Sequence, residues 1–93
     1  MIASYRDKRT SDFAVGKRVK AFSGIERSAR LKLDRLETAV TLQDLAALPG
    51  NRLERLKGDR KEQYSIRIND QWRICFEWTE GGGPSNVEIV DYH

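Results

Sequence analysis

The sequence has little of what disulfide-bonded, metal-binding or membrane proteins depend on. Its 93 residues include one cysteine, Cys75, and one histidine, His93. A single cysteine excludes an internal disulfide. Cys75 and His93 together also fall short of the four ligands of a structural zinc site. No apolar run approaches the ~18 residues that a membrane helix needs, and charges interrupt the first nine residues, where a signal peptide would be apolar. We therefore expect a cytoplasmic protein without a metal.

The composition is that of one small globular domain spanning residues 1–93. Apolar residues make up 39% of the chain and charged residues 33%, which suits a folded domain. The net charge of +3 conceals a gradient: +5 over residues 1–30, −1 over 31–50, +3 over 51–74 and −4 over 75–93. Clustered positive charge favours a polyanionic partner, because neutralised phosphates release counterions. Taken alone, a charge of +3 is better explained by a dispersed, solvated surface.

The N-terminal half has a largely helical pattern. Residues 2–6 predict a short first strand, and Thr10 or Ser11 is expected to cap a helix with Asp12 in its first turn. Residues 23–26 have the Ser-x-x-Glu spacing of a capping box, which predicts the start of a second helix. That helix should bury one apolar stripe. The stripe consists of Ile25, Ala29, Leu33, Leu36 and Val40.

After the second helix the pattern changes twice. Residues 41–48 predict one or two further helical turns, and Leu48-Pro49-Gly50 ends any helix there. Beyond residue 52 apolar side chains alternate with polar ones, which is typical of strands with one buried face. The alternating apolar positions are Tyr64, Ile66, Ile68, Trp72, Ile74, Phe76 and Trp78.

The alternation also predicts how the two strands pair. A three-residue loop, Asn69-Asp70-Gln71, brings apolar residues opposite apolar residues, whereas a two-residue loop would mix the faces. The same register opposes Arg67 to Arg73, so both arginines should project from one face of the sheet. With a last strand over Val87–Tyr92, the order of elements predicts an α+β fold, in which two N-terminal helices pack on a small, mainly antiparallel sheet.

Arg67 and Arg73 raise the question of what balances their charge. Directly opposed like charges repel each other, so the pair needs a shared anion, neighbouring acids or open water. A phosphate seat and a solvated face balanced by Glu77 and Asp70 are equally compatible with the pattern.

Several other side chains have both a functional and a structural interpretation. Lys57 could reach the same phosphate, although a soluble turn is the commoner role for such a lysine. His93 could exchange a proton near neutral pH or belong to a frayed end. Tyr92 and Trp72 could stack on a base, but Trp72 is expected in the core. Cys75 is interpreted as a small packed side chain.

Four segments together resemble a known family. They are Leu56-Lys57-Gly58-Asp59-Arg60, Tyr64-Ser65-Ile66-Arg67-Ile68-Asn69, Gln71-Trp72-Arg73-Ile74-Cys75-Phe76 and Val87-Glu88-Ile89-Val90-Asp91-Tyr92-His93. With the opening residues 2–9, the likeness runs over essentially the whole chain. The sequence is similar to the HigB branch of the RelE-like toxins (plasmid maintenance system killer proteins), and the combination of the segments is specific. The expected fold is therefore the RelE-like two-layer domain.

The resemblance implies a type II toxin that acts as a ribosome-dependent, metal-independent mRNA endonuclease without a cofactor. It also implies a cognate helix-turn-helix antitoxin of the HigA type. Operator DNA would be contacted only through that antitoxin, and no membrane is involved. By position, the functional residues of the family correspond to Lys57, Arg73, Asp91, Tyr92 and His93.

Two positions depart from other members of the branch, some of which have His in place of Glu54 and Arg in place of Asn69. Arg67 is expected to supply the charge that Asn69 lacks, and Arg67, Lys61 and Asn69 are expected to contact RNA. In the expected reaction, Arg73 and Lys57 stabilise the phosphoryl charge. His93 or Asp91 then moves protons while Tyr92 orients the nucleotide.

Two other hypotheses remain open. A non-catalytic relative with the same fold could bind RNA or a protein and block it, because one fold hosts different activities. A weaker alternative is an interaction module whose acidic C-terminal strand meets a basic partner. In either toxin hypothesis the antitoxin is expected on the basic N-terminal third. The basic residues of that third are Arg6, Lys8, Arg9, Lys17, Arg18, Lys20, Arg27 and Arg30.

Overall fold

Three short α-helices precede a four-stranded antiparallel sheet in the part of the chain that the structure describes. The computed structural model describes residues 1–56, 58, 62–79 and 81–91. The helices are α1 (Lys8–Ala14), α2 (Glu26–Thr38) and α3 (Leu42–Ala46), with 3-10 turns at Lys20–Phe22 and Pro49–Asn51. The strands are β1 (Glu54–Arg55), β2 (Gln63–Arg67), β3 (Trp72–Thr79) and β4 (Gly83–Asp91), and they lie in that order in the sheet. The α+β class is confirmed.

The first elements differ from the prediction. Asp7, not Thr10 or Ser11, caps α1: its Oδ1 accepts a hydrogen bond from the Thr10 amide at 3.0 Å. The predicted strand over residues 2–6 is wrong as a strand, because only Tyr5 forms a β-bridge, parallel to Val87. The segment follows the outer edge of β4 without continuous pairing.

The second helix buries most of its predicted stripe but starts differently. Ile25 precedes α2 and no side chain caps the helix, so the capping box predicted for residues 23–26 is wrong. A 3-10 turn over Lys20–Phe22 precedes these residues and brings Phe22 into the core. Ile25, Ala29, Leu33 and Leu36 are buried, whereas Val40 is 81% exposed. The backbone becomes extended at residue 39, so the helical period no longer applies to Val40.

A capping box does occur, one helix later. Thr41 Oγ1 accepts from the Asp44 amide at 3.2 Å, and the Asp44 carboxylate accepts from the amides of Val40 and Thr41. These backbone donors lower the pKa of Asp44 below its ordinary value of 3.8. The predicted helical turn after α2 is therefore confirmed, and the 3-10 turn with Pro49 follows it.

The pairing of β2 with β3 has the predicted register. Ile66 lies opposite Ile74, Tyr64 opposite Phe76, and Arg67 opposite Arg73. The Ile68 amide donates to the Trp72 carbonyl at 2.9 Å, which closes the three-residue loop. Because directly opposed residues share a face, this register separates an apolar face from a polar one.

The core lies between the apolar face of the sheet and the helices. The sheet contributes Ile66, Ile74, Phe76, Val87 and Ile89, and the helical half contributes Phe13, Phe22, Ala29, Leu36 and Leu45. Phe22 makes edge-to-face contacts with Phe13 (5.5 Å between ring centroids) and with Trp72 (5.7 Å). Trp72 is partly buried and packs against the core, as expected. Among the described residues, no helix has the length and apolar character to cross a membrane.

The N-terminal segment occupies the outer edge of β4. The Arg6 amide donates to the Val87 carbonyl at 3.0 Å, and the Val87 amide donates to the Ser4 carbonyl at 3.1 Å. Further along, the buried Thr10 Oγ1 accepts from the Ile89 amide at 3.1 Å. These bonds use backbone groups that an edge strand would otherwise offer to another chain.

The bond from Ile89 to Thr10 gives the first prediction. Thr10→Val keeps the shape of the side chain but leaves the buried Ile89 amide without its acceptor, which should reduce the free energy of unfolding by about 1–3 kcal/mol. Urea denaturation measures the change. Thr38→Val is the matched control, because Thr38 is exposed and its hydroxyl bonds only carbonyls of its own helix. Equal effects of the two substitutions would contradict the proposed role of Thr10.

The lowered pKa of Asp44 gives the second prediction. Its contribution to stability is complete above the ordinary pKa of 3.8 and is lost as pH falls through the lower pKa of the folded state. Asp44→Asn should therefore lose less stability than the wild type when pH is lowered from about 5 to about 2.5. Denaturant unfolding at a series of pH values tests this, and parallel curves for the two proteins would refute it.

Candidate functional site

The sheet face that points away from the core carries most of the charged and polar side chains of the strands. By register this polar face consists of Glu54 on β1, Gln63, Ser65 and Arg67 on β2, Arg73, Cys75 and Glu77 on β3, and Glu88 and Val90 on β4. The register of β4 shifts between Cys75 and Glu77, where β3 advances two residues and β4 three. Asn86, in a left-handed conformation (φ 49°), lies in this bulge, and its Nδ2 donates to Glu77 Oε2 at 3.0 Å.

Arg73 is anchored in the polar face by hydrogen bonds. Its Nε donates to Ser65 Oγ at 2.8 Å and its Nη2 to the Arg52 carbonyl at 2.7 Å. Only 11% of the side chain is exposed. The Arg52 carbonyl is presented by a left-handed residue (φ 45°) that directly follows the 3-10 turn. The guanidinium is therefore held in one orientation, as a group that binds an anion should be.

Each of the two opposed arginines has its own carboxylate. Arg73 Nη1 lies 3.9 Å from Glu54 Oε1, and the Glu54 side chain is 59% exposed. Arg67, with 31% of its side chain exposed, forms an ion pair with Asp70, which is 98% exposed. Neighbouring acids thus offset the repulsion, as one of the two hypotheses from sequence required. Asp70 was expected in this role, but Glu54 takes the place of Glu77, which bonds Asn86 instead.

Asn69, expected to contact RNA, has a structural role in the loop between β2 and β3. Its Oδ1 accepts from the amides of Gln71 and Trp72, each at 2.8 Å. This side chain-to-backbone turn is a frequent use of Asn at loop starts. Any contact of Asn69 with RNA must therefore come from its amide nitrogen or its backbone.

The other predicted site residues lie near the end of β4 or outside the described part of the chain. Asp91 pairs with Trp72, so by register it shares a face with Trp72 and not with Arg73. Its Oδ2 accepts from Gln71 Nε2 at 3.0 Å. The structure thus brings Arg67 and Arg73 together but does not add Asp91 to the same face. The predicted residues outside the described ranges are Lys57, Lys61, Tyr92 and His93.

The sequence did not predict three polar contacts: those of Arg73 with the Arg52 carbonyl and with Ser65, and that of Lys32 with Asn51. Arg52 reaches Arg73 through its carbonyl across 21 residues, and no local pattern indicates such a contact. Ser65 could have been found, because the predicted register places it diagonally across from Arg73. Lys32 on α2 donates from Nζ to Asn51 Oδ1 at 2.7 Å, which depends on how the helix packs. Within the described ranges, no group of three His, Cys, Asp or Glu side chains could hold a metal ion.

Comparisons with known proteins agree with the family resemblance seen in the sequence. A family model described as the RelE-like toxin of the type II toxin-antitoxin system HigB matches residues 3–93. Toxin HigB-1 of Vibrio cholerae is 44% identical over 59 residues, which cover 63% of this chain and 62% of that toxin. An uncharacterized protein of Haemophilus influenzae is 36% identical over 47 residues, 50% of this chain and 46% of that protein. Each match therefore spans less than two thirds of the relative.

The role of Asn69 gives the third prediction. Asn69→Ala removes the acceptor for two backbone amides and should reduce the free energy of unfolding by about 1–2 kcal/mol. Asn69→Asp keeps the acceptor oxygen and should retain most of the stability. Thermal unfolding of both variants beside the wild type tests this. An Asn69→Ala protein as stable as the wild type would show that the loop does not depend on the side chain.

Proposed function

Because this chain belongs to the HigB-like family of RelE-like toxins from type II toxin-antitoxin systems, we propose that it is a ribosome-dependent mRNA endonuclease that inhibits translation. Membership of the family implies a cognate antitoxin. We propose that this partner is a HigA-like helix-turn-helix protein, which alone contacts the operator DNA. Action on translating ribosomes would place the toxin in the cytoplasm.

One observation carries the proposal: an oriented arginine stands beside an exposed carboxylate. Arg73 is fixed by Ser65 and Arg52, and Glu54 lies 3.9 Å from its guanidinium. RNA cleavage without a metal needs a base for the ribose 2′-OH, a cation for the phosphoryl oxygens and an acid for the leaving oxygen. Glu54 and Arg73 suit the first two of these roles, respectively.

In the proposed reaction Glu54 is the general base. It takes the proton of the 2′-OH, whose oxygen bonds to the adjacent phosphorus while the bond from phosphorus to the 5′-oxygen breaks. Arg73 stabilises the extra negative charge of the phosphoryl group, with Arg67 as the second cation on the same face. The products are a 2′,3′-cyclic phosphate and a free 5′-hydroxyl.

The other residues predicted from the sequence complete the proposed reaction. His93 would give a proton to the leaving 5′-oxygen, and Tyr92 would orient the nucleotide. Asp91 shares a face with Trp72 and not with Arg73, so we assign it no proton transfer in this scheme. Lys57 would assist Arg73, and Lys61 would contact the RNA backbone. The ribosome would hold the mRNA in line for attack, which lowers the demand on the toxin's own groups.

A second function is favoured by the burial of Arg73. A guanidinium with 11% of its side chain exposed, and with donors committed to Ser65 and Arg52, also suits a structural role. In that case the polar face would bind RNA or a protein and block translation without cleavage. The difference is measurable, because only the endonuclease creates new RNA ends.

The fourth prediction concerns mRNA 5′ ends mapped in a translating extract. The wild type should create new ends within translated codons, and these should disappear when translation is blocked. Glu54→Gln removes the base but keeps an exposed side chain of similar shape, so cleavage should fall about 10²–10⁴-fold. Arg73→Ala should abolish cleavage, and its thermal unfolding must be measured because the substitution also removes bonds to Ser65 and Arg52.

Glu77→Gln is the control, since Glu77 lies on the same face and bonds Asn86 rather than Arg73. This variant should cleave like the wild type. Cleavage at the wild-type rate by Glu54→Gln would exclude Glu54 as the base. Arrest of translation by the wild type without any new ends would favour the binding inhibitor.

A further inference from the structure

The 3-10 turn over Pro49–Asn51 connects the helical half of the protein to the polar face. Asn51 has no exposed surface, and its side chain bonds two helices. Its Oδ1 accepts from Lys32 Nζ on α2 at 2.7 Å, and its Nδ2 donates to the Leu45 carbonyl on α3 at 3.1 Å. The oxygen and the nitrogen of this amide group are both bonded inside the fold, so the turn is fastened to α2 and to α3.

Backbone bonds carry this attachment to the next residue, Arg52. The Asn51 amide donates to the Leu48 carbonyl at 2.9 Å, and the Arg52 amide donates to the Pro49 carbonyl at 3.2 Å. These bonds close the 3-10 turn around the buried Asn51 side chain. The position of Arg52 therefore follows from where Asn51 is held.

Arg52 leaves the turn in a left-handed conformation, with φ 45° and ψ 56°. This conformation costs free energy for a residue with a side chain, so it persists only where the surrounding structure imposes it. It directs the Arg52 carbonyl toward the polar face, where the carbonyl accepts from Arg73 Nη2 at 2.7 Å. A different ψ at Arg52 would rotate the carbonyl away from the guanidinium.

The chain that leaves Arg52 also forms the start of β1. Glu54 follows two residues later, pairs with Ser65 and lies 3.9 Å from Arg73 Nη1. Ser65 Oγ in turn accepts from Arg73 Nε at 2.8 Å. The proposed base and the proposed cation are thus both next to the segment whose course the 3-10 turn determines.

We propose that Lys32 and Asn51 are positioning residues for Arg73, which act through the Arg52 carbonyl. Lys32 holds Asn51, Asn51 holds the turn, and the turn directs the carbonyl at the guanidinium. The catalytic part of this inference rests on the proposed function, because the orientation of Arg73 affects cleavage only if Arg73 stabilises the phosphoryl charge. The orientation itself is measurable without any reaction.

The rotation of the Arg73 guanidinium gives the fifth prediction. Nitrogen-15 NMR measures how fast the group rotates about its Nε–Cζ bond, and the Arg73 signal is assigned by its loss in Arg73→Lys. Lys32→Met removes the donor to Asn51 at a partly exposed position, so this variant is expected to fold. A weakened bond from Arg73 to the Arg52 carbonyl should make the rotation about tenfold faster. Asn51→Ala should have the same effect, and Lys32→Met decides the question if that variant does not fold.

Two controls separate positioning from loss of charge and from loss of stability. Arg35→Gln removes one positive charge from the same helix and leaves the bond between Lys32 and Asn51 in place. Thr10→Val lowers the overall stability at the distant Ile89 amide. Both variants should keep the wild-type rotation rate of Arg73. Equally fast rotation in Thr10→Val and Lys32→Met would assign the effect to general destabilisation and overturn the proposal.

Substitutions at Arg52 test the link between the turn and Arg73. Arg52→Gly loses the side chain but adopts the left-handed conformation without strain, so the carbonyl should still hold Arg73. Arg52→Val has a β-branched side chain that disfavours a positive φ, so it should reproduce the faster rotation of Lys32→Met. Slow rotation in Arg52→Val would show that the carbonyl does not orient the guanidinium, and would overturn the proposal.

Cleavage kinetics on purified translating ribosomes supply the second readout. A misdirected Arg73 should lower kcat about 10–10²-fold in Lys32→Met, with KM unchanged, because the interaction is needed in the transition state and not for binding. Wild-type rotation in folded Lys32→Met overturns the proposal, and so does faster rotation with an unchanged kcat. If the wild type creates no new mRNA ends, the endonuclease is rejected. The rotation rates then still decide whether Lys32 and Asn51 orient Arg73.

Discussion

The register between β2 and β3 is the constraint on which the rest of the molecule depends. A shift of one residue would turn every side chain of a strand to the opposite face. The observed register keeps Ile66 and Ile74 in the core, and at the same time it sets Arg67 opposite Arg73. Asn69 holds the loop that fixes this pairing through two bonds to backbone amides. The same register therefore determines both the core and the arrangement of the polar face.

The polar face shows how a small domain keeps two arginines side by side. Arg73 is buried and bonded to Ser65 and the Arg52 carbonyl, while its carboxylate neighbour, Glu54, stays exposed. The same bonds that satisfy a buried guanidinium also fix its orientation. Burial of a guanidinium costs free energy unless its donors are bonded. The bonds that offset this cost for Arg73 also orient it, so one set of contacts serves both a structural and a chemical role.

The sequence was sufficient where structure depends on neighbouring residues and insufficient where it depends on distant ones. Alternation predicted the pairing of Arg67 with Arg73, and helical spacing predicted the buried stripe along α2 except for Val40, which is exposed. At the start of α1 the cap was predicted too late in the chain: Asp7 caps the helix, and the Thr10 hydroxyl accepts from the Ile89 amide across 79 residues. The bonds from Arg73 to Arg52 and from Lys32 to Asn51 were equally invisible, since each joins separate elements.

The closure of the β4 edge by the N-terminal segment has a consequence for biosynthesis. Ser4 bonds the amide of Asn86 across 82 residues, and Thr10 bonds that of Ile89. A nascent chain can form its helices and the β2–β3 hairpin early, but the bonds of Ser4 and Thr10 to β4 cannot form until β4 has been made. Such long-range closure is slow compared with local folding. The native sheet is therefore completed only after β4 has been synthesised, which delays the functional domain until the last strand of its sheet has been translated.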